Sequence, residues 1–223
     1  MYGLSTPQFI AIAVIPLIFA ITVHEVAHGW VAKRCGDPTA LFAGRLTLNP
    51  IKHIDPLGTI ILPLALFFFT SGRMVFGWAK PVPVAFNNLN NPRRDMILVA
   101  AAGPASNFLM ALGWSVVAAI AVVLPFIDGV TADFLFGMCT FGIQINVLLA
   151  VFNLVPIPPL DGGRVLAGLL PPQYSRILDR IEPFGIIIVL VLLWYGGLFD
   201  MLAPLIVYFQ NLYGAIIQFL VNL

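Results

Sequence analysis

The residues best suited to chemistry are two histidines and a glutamate in one short stretch. His24, Glu25 and His28 form an H-E-x-x-H pattern, and the chain of 223 residues contains 3 His in all. On a helix, residues four apart share a face, so both imidazoles can bind one ion while Glu25, one position on, stands beside the metal-bound water. Histidines satisfied by hydrogen bonds inside a helical bundle are the alternative, but three ionisable groups in an apolar segment are costly without a function. The pattern therefore predicts a zinc site.

A hydrolytic zinc site needs a third protein ligand and one open position for water. Asp161 is the best candidate, because it lies in the stretch from Asn153 to Gly163, where three prolines and two glycines interrupt a helix and can turn a carboxylate inward. A turn-forming Asp before Gly is the other interpretation of that residue. Glu182 is a weaker third ligand, since it lies beyond a basic segment. We expect one Zn²⁺ per chain.

The composition indicates the environment in which this site must be built. The chain is 60% hydrophobic and 9% charged, and its mean hydropathy is +0.99, which is far from the values of soluble domains. The lipid bilayer is therefore the expected surrounding. The net charge of +1 gives no electrostatic reason to bind nucleic acid, and we expect no nucleic-acid partner.

The apolar stretches predict an all-α polytopic membrane protein with about five to six transmembrane helices. A spanning helix needs about 20 apolar residues. The candidates are residues 7–32, which carry the H-E-x-x-H pattern, then 96–125, 134–157, 184–197 and 201–221. The stretch 57–70 is shorter and has basic segments on both sides, so we expect a re-entrant insertion there. The whole chain, 1–223, is expected to form a single domain.

All Lys and Arg residues fall within residues 33–52, 73–94 and 164–180. By the positive-inside rule these segments face the cytoplasm, which places the amino terminus outside. His24 then lies about 26 Å along the first helix from Pro7, and Asp161 follows a span that enters from outside. Both are expected toward the cytoplasmic side.

Residues 42–92 are predicted to form a small membrane-associated segment of β or irregular structure. Its part from Ala79 to Ala85 reads A-K-P-V-P-V-A, in which the prolines cannot join a central strand but suit an edge strand. Such an edge could capture the backbone of an unwound substrate. The candidate substrate-binding residues are Lys80, Pro81, Val82, Pro83 and Val84.

The motifs together resemble the site-2 protease family of intramembrane zinc metalloproteases, in its compact branch without PDZ or CBS domains. The stretches that carry the resemblance are H-E-x-x-H, the L-D-G of Asp161, Gly44 to Pro50, His53 to Thr59, Gly77 to Val84 and Gly103 to Asn107. The resemblance implies that His24, His28 and Asp161 bind zinc and that Glu25 is the catalytic acid/base. It implies hydrolysis of peptide bonds in transmembrane or membrane-adjacent protein segments, in the cell membrane of a prokaryote.

Three polar residues outside this set have competing interpretations. By the resemblance Asn153 holds substrate or the oxyanion, although a hydrogen bond to a neighbouring helix would also explain an Asn in a span. His53 is expected to be interfacial rather than catalytic. Asn107 is expected to make a packing hydrogen bond, since small residues precede it.

Two other functions are compatible with a zinc-binding membrane protein. A non-catalytic scaffold would hold client proteins in the same groove, and a transporter would use the metal site without chemistry. Neither needs Glu25, and a transporter is expected to show inverted repeats, which this sequence lacks. The identity of the substrates and the oligomeric state are left open by the sequence.

Overall fold

The computed structural model describes residues 6–71, 76–124, 129–195 and 197–222. Nine α-helices lie in that part of the chain: α1 Thr6–Arg34, α2 Thr39–Phe42, α3 Leu62–Phe69, α4 Pro92–Val123, α5 Gly129–Asn153, α6 Asp161–Leu169, α7 Pro172–Ile181, α8 Gly185–Trp194 and α9 Gly197–Val221. Short 3₁₀ turns occupy Pro50–His53, Phe86–Asn88 and Glu182–Phe184, and a π-helical stretch, Pro56–Ile61, leads into α3. Residues 72–75, 125 and 196, which fall in the predicted segments 42–92, 96–125 and 184–197, lie outside the described residues.

The expectation of an all-α polytopic membrane protein is confirmed. Within the described residues four helices are long and apolar enough to cross a bilayer, namely α1, α4, α5 and α9, rather than five to six. The difference comes from α8, whose 10 residues extend only about 15 Å at 1.5 Å per residue, half of a bilayer core. The stretch Pro56–Phe69 is likewise too short to cross.

Three of the long helices form the centre of the molecule. The helices α1, α4 and α5 pack against one another, and α9 packs against α4 and α5. Small residues allow this close approach: Ala20, Ala111 and Ala150 are fully buried, and Gly142 faces the ring of Trp114. The bundle therefore encloses an interior at the depth of the H-E-x-x-H residues.

The end of α1 is fixed by a glycine and an aspartate. Gly36 adopts a φ of +103°, a left-handed conformation that favours glycine. The Asp37 N–H then donates to the Ala32 carbonyl and the Gly36 N–H to the Lys33 carbonyl, which together form a Schellman motif. This turn sends the chain away from α1 and buries the Asp37 side chain.

Asp37 ties the segment before α4 to the end of α1. Its carboxylate accepts hydrogen bonds from the Ala85 N–H at 2.7 Å and from the Asn88 amide at 3.1 Å, besides those from Thr39. Burial raises the pKa of Asp37, but these hydrogen bonds outweigh it and leave the pKa below its ordinary value. The segment is thus anchored by a charged acceptor.

The expected irregular segment is present, whereas its described part contains no β-strand. Pro81 and Pro83 have no N–H, so residues 79–85 cannot form a regular ladder. The backbone is held by isolated contacts instead: the Lys80 N–H donates to the His53 carbonyl at 2.9 Å, and the Trp78 N–H donates to the Gly58 carbonyl at 3.1 Å.

Candidate metal centre

His24, His28 and Asp161 come together at one point. The two histidines lie one turn apart on α1, and Asp161 is the first residue of α6. The Nε2 atoms of the histidines are 3.1 Å apart, and Asp161 Oδ2 lies 3.2 Å from His24 Nε2 and 3.4 Å from His28 Nε2. Three potential ligand atoms therefore form a nearly equilateral triangle.

The triangle has the dimensions of a zinc site. Tetrahedral coordination with bonds of 2.0–2.2 Å separates ligand atoms by about 3.3–3.6 Å, close to the three observed distances. Asp161 Oδ2 is buried and makes no hydrogen bond, which is a costly state for a carboxylate oxygen unless a cation binds it. The residues therefore fit zinc.

The outer nitrogen of each imidazole is held by α4. His28 Nδ1 lies 2.7 Å from the Val99 carbonyl, and His24 Nδ1 lies 2.5 Å from Asn107 Oδ1. Because both acceptors require an N–H at Nδ1, both Nε2 atoms carry the lone pair that faces the triangle. The tautomers are thus set for metal binding.

Gly103 leaves room for the two ligand nitrogens. A Cβ at this position would lie 2.4 Å from His28 Nε2 and 2.6 Å from His24 Nε2. Three residues of α4 that are spaced by four, and so share one face of the helix, therefore surround the two rings. Val99 orients His28, Gly103 leaves space for both Nε2 atoms, and Asn107 orients His24.

Asn107 makes the expected packing hydrogen bonds to neighbouring helices and, in addition, contacts one of the two histidines. Its Oδ1 accepts from His24, and its amide donates to Asn146 Oδ1 at 2.9 Å and to the Ala20 carbonyl at 3.2 Å. Sequence reasoning missed Asn146 altogether. The sequence feature that could have indicated it is an Asn in an apolar span, two helical turns before Asn153.

Glu25, next to the first histidine, contacts the irregular segment. Its Oε2 accepts a hydrogen bond of 2.8 Å from the Val82 N–H. Arg45, which is buried, donates to the Lys80 carbonyl at 2.7 Å and more weakly to the Pro81 carbonyl at 3.4 Å. The predicted acid/base and the predicted substrate-binding residues are therefore neighbours.

The other predicted polar residues have their hydrogen-bond and ion-pair partners outside the triangle. The Asn153 amide donates to the Leu149 carbonyl of its own helix at 2.9 Å, rather than to a neighbouring helix. His53 is buried in its loop, with Nε2 at 2.9 Å from the Thr47 carbonyl. Glu182, the weaker third-ligand candidate, pairs with Arg164 at 3.4 Å. In the described part of the chain the metal-binding group consists of His24, His28 and Asp161.

Comparison with known proteins gives a family and several relatives. The model of peptidase family M50 matches residues 12–134 and 131–196. The chain is 42% identical over 196 residues to the zinc metalloprotease YwhC of Bacillus subtilis, covering 86% of this chain and 82% of that protein. It is 31% identical over 195 residues to the zinc metalloprotease Rip2 of Mycobacterium tuberculosis, covering 82% and 71%.

A more distant relative is much longer than this chain. The regulator of sigma-E protease RseP of Escherichia coli is 34% identical over 108 residues, which cover 44% of this chain and 23% of that protein. No solved structure matches the chain significantly.

Proposed function

The chain belongs to peptidase family M50, and from this membership we propose which residues carry the reaction of an intramembrane zinc metalloprotease. Its cofactor is zinc, and its substrates are proteins of the membrane. His24, His28 and Asp161 hold the metal, and Glu25 moves protons. The observation that carries this assignment is the triangle of 3.1, 3.2 and 3.4 Å between the three ligand atoms.

Glu25 acts as general base and then as general acid. When bound, zinc supplies Lewis-acid activation of the attacking water and of the scissile carbonyl. Glu25 takes one proton from that water as the oxygen bonds to the carbonyl carbon. It then delivers the proton to the amide nitrogen as the C–N bond breaks, so a carboxylic acid, which keeps the second proton of the water, and an amine leave. Its hydrogen bond with the Val82 N–H holds the carboxylate in one orientation.

The residues Lys80 to Val84 receive the substrate backbone. A transmembrane helix has its carbonyls bonded internally and must unwind before attack, which leaves polar groups that need partners. The contact of Val82 with Glu25 supports this role, because it places the segment beside the acid/base. Among the described residues no hydrogen bond satisfies the Val84 N–H, so that donor is available to a substrate carbonyl.

Asn153 supplies a donor to the developing oxyanion. It ends α5, in the same stretch of sequence that turns into Asp161. Its amide is engaged by the Leu149 carbonyl, and this role requires the amide to rotate away from its own helix when a substrate is bound.

The chain is an integral membrane protein, and we place it in the plasma membrane of a prokaryote with its active site toward the cytoplasm. The basic residues support this orientation: Lys33 and Arg34 end α1 five and six residues after His28, and Arg164 follows Asp161 by three residues. Zinc-site residues and cationic residues thus lie at the same end of their helices.

The function is tested by cleavage of a single-span model substrate in detergent or nanodiscs. We expect cleavage by the wild type, and its loss on zinc chelation, in Asp161→Ala and in Glu25→Gln. Glu182→Gln, at a half-buried glutamate that pairs with Arg164 outside the site, is the matched control and should cleave normally. Zinc content distinguishes the roles: Glu25→Gln should retain one zinc per chain and Asp161→Ala should lose it. Cleavage by zinc-loaded Glu25→Gln at the wild-type rate would overturn the role of Glu25. Binding of zinc and substrate by the wild type without cleavage would favour a scaffold or a transporter instead.

A further inference from the structure

We propose that Asn146 is a positioning residue for the zinc site, acting through Asn107 on the imidazole of His24. This inference rests on the proposed assignment of His24 as a zinc ligand. It adds a residue on α5 that contacts neither the triangle nor Glu25.

The three side chains form one directed chain of hydrogen bonds. Asn146 donates its amide to the Gly142 carbonyl at 2.8 Å, which leaves its Oδ1 to accept from the Asn107 amide at 2.9 Å. The Asn107 amide is thereby turned away from His24, and its Oδ1 accepts from His24 Nδ1 at 2.5 Å. Each amide has only one orientation that satisfies all of these contacts.

Burial makes this orientation obligatory. Asn107 and Asn146 are both 0% exposed, and His24 is 8% exposed. All three lie within spanning helices, and the two asparagines are fully buried, so a lost partner is not replaced by bulk solvent. Without Asn146, the Asn107 amide keeps the Ala20 carbonyl at 3.2 Å as its single acceptor. Asn107 can then rotate, and the His24 ring loses its fixed direction.

The two histidines differ in their dependence on such support. His28 uses the Val99 carbonyl, which the helix itself holds in place. His24 uses a side chain, whose position must be fixed by another side chain. An outer-shell contact of this kind typically changes metal affinity by about 10–100-fold. A hydrogen bond that only joined α4 to α5 would affect folding and leave zinc affinity unchanged.

The test measures zinc affinity of the purified full chain by competition with a chromogenic chelator, together with thermal unfolding of the metal-free protein. Asn146→Ala should bind zinc about tenfold more weakly. Asn146→Leu removes the same acceptor and fills the space, so it serves if the alanine variant does not fold. Tyr213→Phe is the matched control, because it removes a buried hydrogen bond of 2.9 Å to the Phe108 carbonyl, next to Asn107. It should leave zinc affinity unchanged.

The route through Asn107 is tested by a double-mutant cycle. In the Asn107→Ala background, a change at Asn146 should have no further effect on zinc affinity. The proposal is overturned if folded Asn146 variants bind zinc within twofold of the wild type, or if their loss persists without Asn107. Failure of the wild type to bind zinc would instead overturn the assignment of the metal site itself. The Co²⁺-substituted protein gives an independent signature, since a reoriented His24 should alter its visible absorption.

Discussion

Replacing Gly103 by alanine should abolish zinc binding by adding one methyl group. The added Cβ would lie 2.4 Å from His28 Nε2 and 2.6 Å from His24 Nε2, whereas ordinary contact begins at 3.4 Å. Relief of this overlap requires the rings to retreat by about 0.8–1.0 Å, well beyond the tolerance of about 0.2 Å in metal–ligand distances. We therefore expect a loss of zinc affinity of at least about 100-fold, or about 2.7 kcal/mol.

Alanine at the same position should not be harmful to the helix itself. Glycine inside a helix is less favourable than alanine by about 0.5–1 kcal/mol, so intrinsic propensity alone favours Gly103→Ala. Gly113 provides the matched control on α4, because a Cβ there meets no atom within 4 Å. Gly113→Ala should bind zinc as the wild type does.

The assay is chelator competition in detergent, combined with thermal unfolding of both metal-free variants. The expected result is that Gly103→Ala unfolds cooperatively without metal and yet binds no zinc at concentrations that saturate Gly113→Ala. Zinc binding by Gly103→Ala within threefold of the wild type would refute the reasoning, because the metal could not then lie between His24 and His28 as assigned.

Three further results are expected. Glu25→Gln should lower the cleavage rate by about 10²–10⁴-fold, the usual contribution of a general acid/base, with zinc affinity by chelator competition changed less than threefold. Conversion of the Val82 amide to an ester removes the N–H that orients Glu25 and should lower kcat, whereas the same change at Val84 should raise KM; steady-state cleavage kinetics distinguish the two. The pKa of Asp37 is lower in the folded protein than its unfolded value of about 3.9, so its carboxylate stabilises the fold above that pH, and this stabilisation is lost as the pH falls through the folded pKa. The thermal unfolding temperature of the metal-free protein should therefore decrease as the pH falls below about 4, and it should decrease less steeply in Asp37→Asn.

The sequence predicts the metal-binding group because its chemistry is local or tied to rare residue types. His24 and His28 need only a helix to share a face, and the structure gives that helix from Thr6 to Arg34. Asp161 needed a further argument, that prolines and glycines would turn the chain back toward the first span. The structure brings its carboxylate to the two imidazoles, although no spacing rule specifies which helix it approaches.

The limits of sequence reasoning appear where two elements meet. The apolar stretch 184–197 has the composition of a span, but only Gly185–Trp194 continues as a helix, so length rather than hydropathy decides that it does not cross alone. The prolines at 81 and 83 suggest an edge strand, whereas the partners of this segment beside the metal-binding group include the side chains of Arg45 and Glu25. Neither partner is indicated by the segment's own sequence.

Gly103 and Asn107 show the same limit at the site itself. A glycine and an asparagine four residues apart in an apolar helix are most simply explained by helix packing. Their functional meaning depends on what lies opposite, and here it is the pair of imidazoles. Local helix preference is broken at Gly103 and again at Pro104, both inside α4, and violations of that kind concentrate at functional sites. In a membrane bundle, buried imidazoles must find their hydrogen-bond partners within the protein. A glycine followed four residues later by an asparagine therefore indicates a helix that can orient metal ligands on a neighbouring helix.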